Sequence, residues 1–375
     1  MAEFLFLLSI ILLFYAFVGY PVMIRLLAGL QGRITASEDQ YTPRVSMLLS
    51  VYNEEKVIQE KIENFLKLDY PGDKIELIVV SDGCTDRTEA ITDSFDPARV
   101  RLFIQERRGG KTLALNRAAD EARGEILVFT DANSMFNRQA IKKLVRHFSD
   151  HDVGLVSGRS VYFEPETGNE QSGGLYRRYE DFIKEQESAT LSIVGADGAI
   201  YAMRKNLYEP LPPEHINDLI HPFRVVIKGY RAIHEPEAVC TEMTEEDLKG
   251  ELNRQTRIMA QSWLIVVSQV TNLLKARCYA YLWAVLSHKV LRWLTLPLML
   301  VLLASNLLIL SQGLIFQLAL AGQLIFYLLV VMGWNRARGL LGIPAMFILL
   351  HTAAMFGLFR LATGHAYVTW SPRKN

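Results

Sequence analysis

Asn53, Asp82 and Asp131 each stand just past a short apolar, β-branched run, the position where open α/β sheets hold their ligands. In Ser81-Asp82-Gly83-Cys84-Thr85-Asp86, Gly83 can make a tight turn while Asp82 faces a crevice, where a carboxylate accepts hydrogen bonds from a base N–H or from ribose hydroxyls. Capping of the following helix accounts for Thr85 and Asp86 but leaves Asp82 unexplained. Phe129-Thr130-Asp131-Ala132-Asn133 ends another run with two oxygen-bearing side chains two residues apart. Such a pair can hold a hard divalent cation against a diphosphate, and the cation would offset the charge of a leaving group. Alone, an Asp and an Asn after a strand more often form an Asx turn, so the weight of this pair comes from its company. Gly109-Gly110-Lys111 ahead of a helix adds a glycine pair and a cation suited to phosphate oxygens.

The elements that must position these residues follow from periodicity. Val45–Val51, Ile75–Val80, Val100–Ile104 and Ile126–Thr130 read as strands, with helices over Glu54–Leu68, Asp86–Ser94 and Lys111–Ala122 between them. That alternation, running from Pro43 to about Gly250, predicts a doubly wound, nucleotide-binding type of α/β domain. Apolar segments bracket it. Half of the 375 residues are apolar, and Phe4 to Ile24 carries no charge, enough for one helical pass. Glu3 ahead of that run and the run's length argue against a cleaved secretory signal. No charge occurs between Arg292 and Arg336, which fits two spans turning at Ser311-Gln312-Gly313, and Gly339 to Phe359 is a third. Arg25 and Arg33 follow the first span, so the positive-inside tendency puts residue 43 onward in the cytosol. Three C-terminal passes then leave Arg373 and Lys374 outside, against the same tendency. Trp263 to Trp283, interrupted by Ser268, Gln269, Asn272, Lys275 and Arg277, reads as an amphipathic interfacial helix; as a span it would return the tail to the cytosol. Lys plus Arg and Asp plus Glu are 40 each, which leaves no basic field for nucleic acid. Cys84, Cys240 and Cys278 are too scattered for a disulfide framework or a CxxC metal pair and fit a reducing cytosol.

Taken together, Val51-Tyr52-Asn53-Glu54-Glu55, Ser81-Asp82-Gly83-Cys84-Thr85-Asp86, Gly110-Lys111 with Ala114-Leu115-Asn116, and Asp131-Ala132-Asn133 resemble, in order and spacing, the family 2 glycosyltransferases of GT-A fold. The resemblance implies that Asp82 reads uracil and ribose, with Asn53, Glu54 and Lys111 also at the donor, and that Asp131 binds diphosphate and Mg²⁺ or Mn²⁺. Asn133 stands where many relatives have a second Asp. The likeness continues through Gly195-Ala196-Asp197-Gly198-Ala199, Asn217-Asp218, Gly229-Tyr230-Arg231 and Glu235-Pro236-Glu237-Ala238. It implies that Asp197 binds substrate and that Asp218 is the catalytic base. A sugar hydroxyl is a poor nucleophile until a positioned carboxylate takes its proton. Leu219 follows where many relatives carry another carboxylate, so Asp218 acts alone; the competing reading of Asn217-Asp218 is a helix N-cap. The QxxRW motif of processive synthases is absent. In its place Arg254-Gln255-Thr256-Arg257-Ile258-Met259 puts Arg254 and Arg257 on one helix face, either to reach a diphosphate or to mark the edge of an interfacial helix. Trp263 beyond them reads as an interface anchor or as the cap of an acceptor channel.

The expectation is therefore an α/β GT-A (Rossmann-like) catalytic domain at 43–250, between an N-terminal transmembrane helix at 1–34 and interfacial helices at 251–290 leading to a transmembrane bundle at 291–375. The expected activity is inverting transfer from a nucleotide-sugar, most simply a UDP-sugar, to a saccharide or lipid-linked acceptor, with a divalent cation held by Asp131 and Asn133. The expected setting is the inner (plasma) membrane, in contact with membrane lipid and other polysaccharide-export subunits. Transfer of one sugar to polyprenyl phosphate and a non-catalytic nucleotide-sugar sensor, the latter favoured by Asn133 and Leu219, are the alternatives.

Overall fold

The computed structural model describes residues 1–32, 35–163, 174–243, 248–334 and 342–364. Strands β1 (Val45–Val51), β2 (Ile75–Ser81) and β4 (Ile126–Thr130) are buried at every residue, as near-continuous apolar runs in a parallel sheet must be. With β3 (Val100–Ile104) they form the parallel half of an eight-stranded sheet ordered β3-β2-β1-β4-β7-β6-β8-β5. The other half comprises β5 (Ser134–Phe136), β6 (Val153–Phe163), β7 (Ile200–Arg204) and β8 (Arg231–Met243). There β7 runs antiparallel to both β4 and β6, β6 and β8 are parallel, and β5 closes the edge against β8.

Alternation along β1 sends Met47, Leu49 and Val51 to one face, under Ile58, Ile62 and Phe65, and Leu48 to the other, under Ala114, Leu115 and Ala118. The predicted helices form but start later or end sooner: Ile58–Leu66, Thr88–Asp93 and Lys111–Glu121. The first loses its expected opening turn because Asn53 adopts φ +54° and the Glu54 amide donates to Thr88 Oγ1 (2.8 Å).

Among the described residues four helices are long and apolar enough to cross a bilayer: Ala2–Gln31, Thr295–Gln312, Leu314–Gly333 and Gly342–Ala362. Together they mark the chain as a membrane protein. Leu26, Leu308, Ile315 and Val331 lie exposed along them, apolar surface that lipid covers at low cost. Arg33, Arg336, Arg338, Arg373 and Lys374, on which the charge-sidedness reading leans, lie outside the described residues. The Leu248–Lys275 helix packs along Gly342–Ala362. Trp263, expected as an interface anchor or channel cap, is instead buried there, its indole N–H donating to the Ala354 carbonyl (3.1 Å) and its ring edge-on to Trp293. The chain reverses after this helix through Arg277 at φ +58°.

Candidate active site

The candidate residues gather at the carboxyl ends of β1, β2 and β4, where an open α/β sheet has its crevice. Its floor is laced by loop-to-loop bonds: Asn53 Oδ1 accepts from the Thr85 amide (2.8 Å), the Asn53 amide donates to Cys84 Sγ (3.3 Å), and Glu55 N–H donates to Asp86 Oδ2 (3.1 Å). Asp82 is fully buried, and its two oxygens accept the Gly109 (2.6 Å) and Gly110 (2.9 Å) amides. Gly110 sits at φ +90°, a conformation that excludes a Cβ. Asp82 thereby shapes the turn that delivers Lys111 to the start of its helix, where the ammonium pairs with Asp131 Oδ1. Beside this turn the Arg108 guanidinium lies over the Tyr52 ring (3.7 Å), a flat surface that the sequence reading did not anticipate.

Electrostatics ties the remaining groups together. Burial, then Asp131 and Asp86, push the Glu54 carboxyl up to about 7. Burial raises the Asp218 carboxyl as well; Lys111 opposes it, while Asp197 and Asp131 add to it. Burial disfavours the Lys111 cation, yet Asp131, Asp218 and Glu242 outweigh it and hold its pKa above the ordinary lysine value. Groups from β4, from the helix after the glycine pair and from the second half of the sheet thus share one field. Asp218 lies in the first turn of the Asn217–Ile227 helix, but the N-cap is Ile216 with no side-chain cap bond, so capping does not explain Asn217-Asp218. The carboxylate rests against Gly198, where a Cβ would come within 3.0 Å of Asp218 Oδ2. Asp197 is pinned to β6, accepting from the Ser160 amide (2.9 Å) and hydroxyl (2.7 Å). Arg254 is forked onto Glu251 of its own helix (2.8 and 2.7 Å) and also feels Glu242, the carboxylate that acts on Lys111; Arg257 is half-buried three residues on.

Among the described residues no three His, Cys, Asp or Glu side chains gather to hold a metal. Asp131 and Asn133 supply one carboxylate and one amide oxygen, hard donors that suit Mg²⁺ or Mn²⁺ if substrate phosphate oxygens and water complete the shell. Lys61, which the sequence reading passed over, holds this loop from behind. It is fully buried, donates to Thr130 Oγ1 (2.7 Å) and the Ser134 carbonyl on either side of Asp131-Ala132-Asn133, and is brought down to about 8 by burial. A signal existed: Lys61 shares the apolar stripe of Ile58, Ile62 and Phe65, where a cation has no reason to be unless it is bonded.

With this geometry in hand, comparison with known proteins is decisive for the family. Residues 46–210 match the Glycosyl transferase family 2 model. They belong to glycosyl transferase family 2. The chain is 32% identical over 127 residues to the glycosyltransferase GlyG of Streptococcus pneumoniae, covering 33% of this chain and 42% of that protein. It is 32% identical over 123 residues to the beta-monoglucosyldiacylglycerol synthase of Synechocystis sp., covering 32% and 26% respectively. A longer match, 25% identical over 236 residues, reaches the poly-beta-1,6-N-acetyl-D-glucosamine synthase of Staphylococcus epidermidis, covering 60% and 56%. The first two matches span less than half the length of those relatives. Among solved structures, the mannosyltransferase PcManGT from Pyrobaculum calidifontis, in complex with GDP-Man and Mn²⁺, superposes with a TM-score of 0.70 at 23% identity, over 96% of this chain and 99% of that one. The fold is GT-A, flanked by apolar helices at both ends. Within the family 2 match lie Asn53, Glu54, Asp82, Lys111, Asp131, Asn133 and Asp197, whereas Asp218, Arg254 and Arg257 fall beyond it.

Proposed function

We propose that the chain is an inverting glycosyltransferase that moves a sugar from a nucleotide diphosphate donor to a membrane-associated saccharide or lipid-linked acceptor. The single observation that carries this reading is the meeting of Asp218, Lys111 and Asp131 in one field at the strand ends. Asp218 takes the proton from the acceptor hydroxyl as its oxygen attacks the anomeric carbon, and its raised proton affinity makes it a stronger base than a solvated carboxylate. The bond to the diphosphate breaks on the opposite face, which inverts the configuration. Lys111 offsets charge on the departing phosphates, with Arg254 and Arg257 entering from the rim. Asp131 and Asn133 hold a divalent cation, which when bound supplies further neutralisation of the leaving group. Four apolar helices favour an acceptor presented at the bilayer, and a cytosolic site at the inner membrane gives access to the donor pool. The names of the relatives, a glycolipid synthase and a polysaccharide synthase, support both acceptor classes.

The test is turnover of radiolabelled UDP- and GDP-sugars by the full chain in nanodiscs with Mn²⁺. In Asp218→Asn, kcat is expected to fall by about 100-fold or more while donor KM stays within about threefold. Turnover undiminished in that variant removes the base assignment; no turnover of any nucleotide sugar by the wild type removes the transferase reading.

A further inference from the structure

A buried polar cluster lies between the first membrane helix, the Gly174–Thr190 helix and the segment leading into the second span, away from the crevice residues. At its centre is Glu187, which has no solvent exposure. One carboxylate oxygen, Oε1, accepts from the Tyr20 hydroxyl (2.6 Å) and lies 2.7 Å from His288 Nδ1; the other, Oε2, accepts the Val194 amide (3.3 Å). His288 Nε2 faces Glu180 (3.1 Å), which also pairs with Lys289 (3.5 Å) and Arg292.

Burying so many charged and polar groups is costly, and a hydrophobic cluster would serve packing at least as well. Its position suggests what the cost secures. Val194 opens the segment that continues through Gly195, Ala196, Asp197 and Gly198. Ala196 N–H donates to the Asp218 carbonyl (2.8 Å), and Gly198 abuts the Asp218 carboxylate. On the membrane side Tyr281 adds a second hold, its hydroxyl donating to the Ile193 carbonyl (3.2 Å). His288 lies within a widened helical turn, Val285–Val290, and Tyr20 directly follows another, Tyr15–Gly19. The two turns face each other through Tyr15 Oη and Ser287 Oγ (2.9 Å), and Tyr179 donates to the Phe17 carbonyl (2.7 Å). Single π-turns of this kind recur where a helix must aim particular groups.

We infer that Glu187 is a positioning residue: anchored by Tyr20 and His288 of the membrane-flanking helices, it fixes residues 193–198 and through them the Asp218 carboxylate, so that docking of the membrane helices sets the competence of the base. This rests on the transferase reading above for the role of Asp218, but the link itself has an independent readout.

Glu187→Gln keeps the volume and breaks the link. If the amide oxygen serves Tyr20 and His288, the new NH₂ group confronts the Val194 N–H, donor against donor. In the full chain in nanodiscs, amide exchange across 193–198 is expected to quicken about tenfold while 45–51 keeps wild-type protection. With UDP-N-acetylglucosamine and GDP-mannose plus Mn²⁺ as probes, kcat on whichever is used falls about tenfold at a donor KM within about threefold. A role in folding alone would lower the thermal midpoint and the active fraction, leave kcat per folded molecule at its wild-type value, and quicken exchange across 45–51 as well. Should Glu187→Gln not fold, Tyr20→Phe is read the same way, with about threefold effects, because His288 still holds the carboxylate. Unchanged exchange across 193–198, or quickened exchange with kcat undiminished, overturns the proposal. A wild type inert towards both nucleotide sugars sinks the transferase reading, while the exchange result still decides whether Glu187 holds the segment.

Discussion

Glu54, half-buried in the loop after β1, feels two carboxylates from other loops, Asp131 and Asp86, and this crowding has a consequence for stability. Its folded pKa of about 7 lies above the ordinary 4.5, so between those values the folded chain binds more protons at this site than the unfolded chain does. The linkage sign follows: the neutral carboxyl is accommodated at low pH, and stability is lost as pH rises through that window. Glu54→Gln removes the titration. The stabilities of wild type and variant, read from thermal midpoints in nanodiscs, are expected to converge near pH 5 and to differ in favour of the variant by about 1–2 kcal/mol at pH 8, once partial exposure is allowed for. Parallel midpoints across that range would show that Glu54 stays ionised. At this scale the sequence was a good guide to position. Asn53, Asp82, Lys111 and Asp131 stand at strand ends or helix starts within short motifs, so type and spacing disclose where they lie. What local spacing does not disclose is what each side chain touches: Asp82 meets Gly109 and Gly110, and Lys61 meets Thr130 and Ser134, contacts that exist only once separate strands are side by side.

Between elements, the place of the Asp218 carboxylate depends on how closely the 195–198 segment approaches the start of the Asn217–Ile227 helix. Gly198 permits that approach. A methyl group there would stand 3.0 Å from Asp218 Oδ2 and 3.4 Å from its Cγ, so one of the two must give way. Gly198→Ala is therefore expected to reduce kcat by about 10- to 100-fold through displacement of Asp218, the proposed base, with donor KM and thermal midpoint near wild type. Wild-type kcat would mean that the carboxylate has room to retreat. Strand detection was strongest in the first half of the sheet, because β1, β2 and β4 are buried on both faces and read as unbroken apolar runs. The second half escaped it. β6 and β8 carry Ser157, Arg159, Ser160, His234, Glu235 and Glu237, polar residues that break the apolar pattern because they bond to neighbouring loops or form the irregular register between those two strands.

For the whole molecule, the question is what holds a lipid-embedded bundle in register with a crevice that opens in water. Apolar composition located the four spans but not their partners, since lipid tails and a neighbouring helix are nearly equivalent surroundings for a leucine. Close approach between helices instead needs small residues, and the last span presents Ala353, Ala354 and Gly357, all buried, to the helix that carries Arg254 and Arg257. At Gly357 a Cβ would fall 2.7 Å from the Ala260 amide nitrogen and 2.8 Å from the Met259 carbonyl carbon, both backbone atoms that a rotamer change cannot move. Gly357→Ala must then push the helices apart. The displacement would strain the Trp263 bond to the Ala354 carbonyl and shift Arg254 and Arg257, the proposed rim arginines. A loss of about 1–3 kcal/mol, read as a lower thermal midpoint in nanodiscs, is expected together with a raised donor KM. Gly322→Ala is the matched control, because nothing lies within 4 Å of a Cβ at that position in the neighbouring span. Equal midpoints and equal KM in the two variants would mean that the last span does not set the position of the rim arginines, and that the crevice is organised without it.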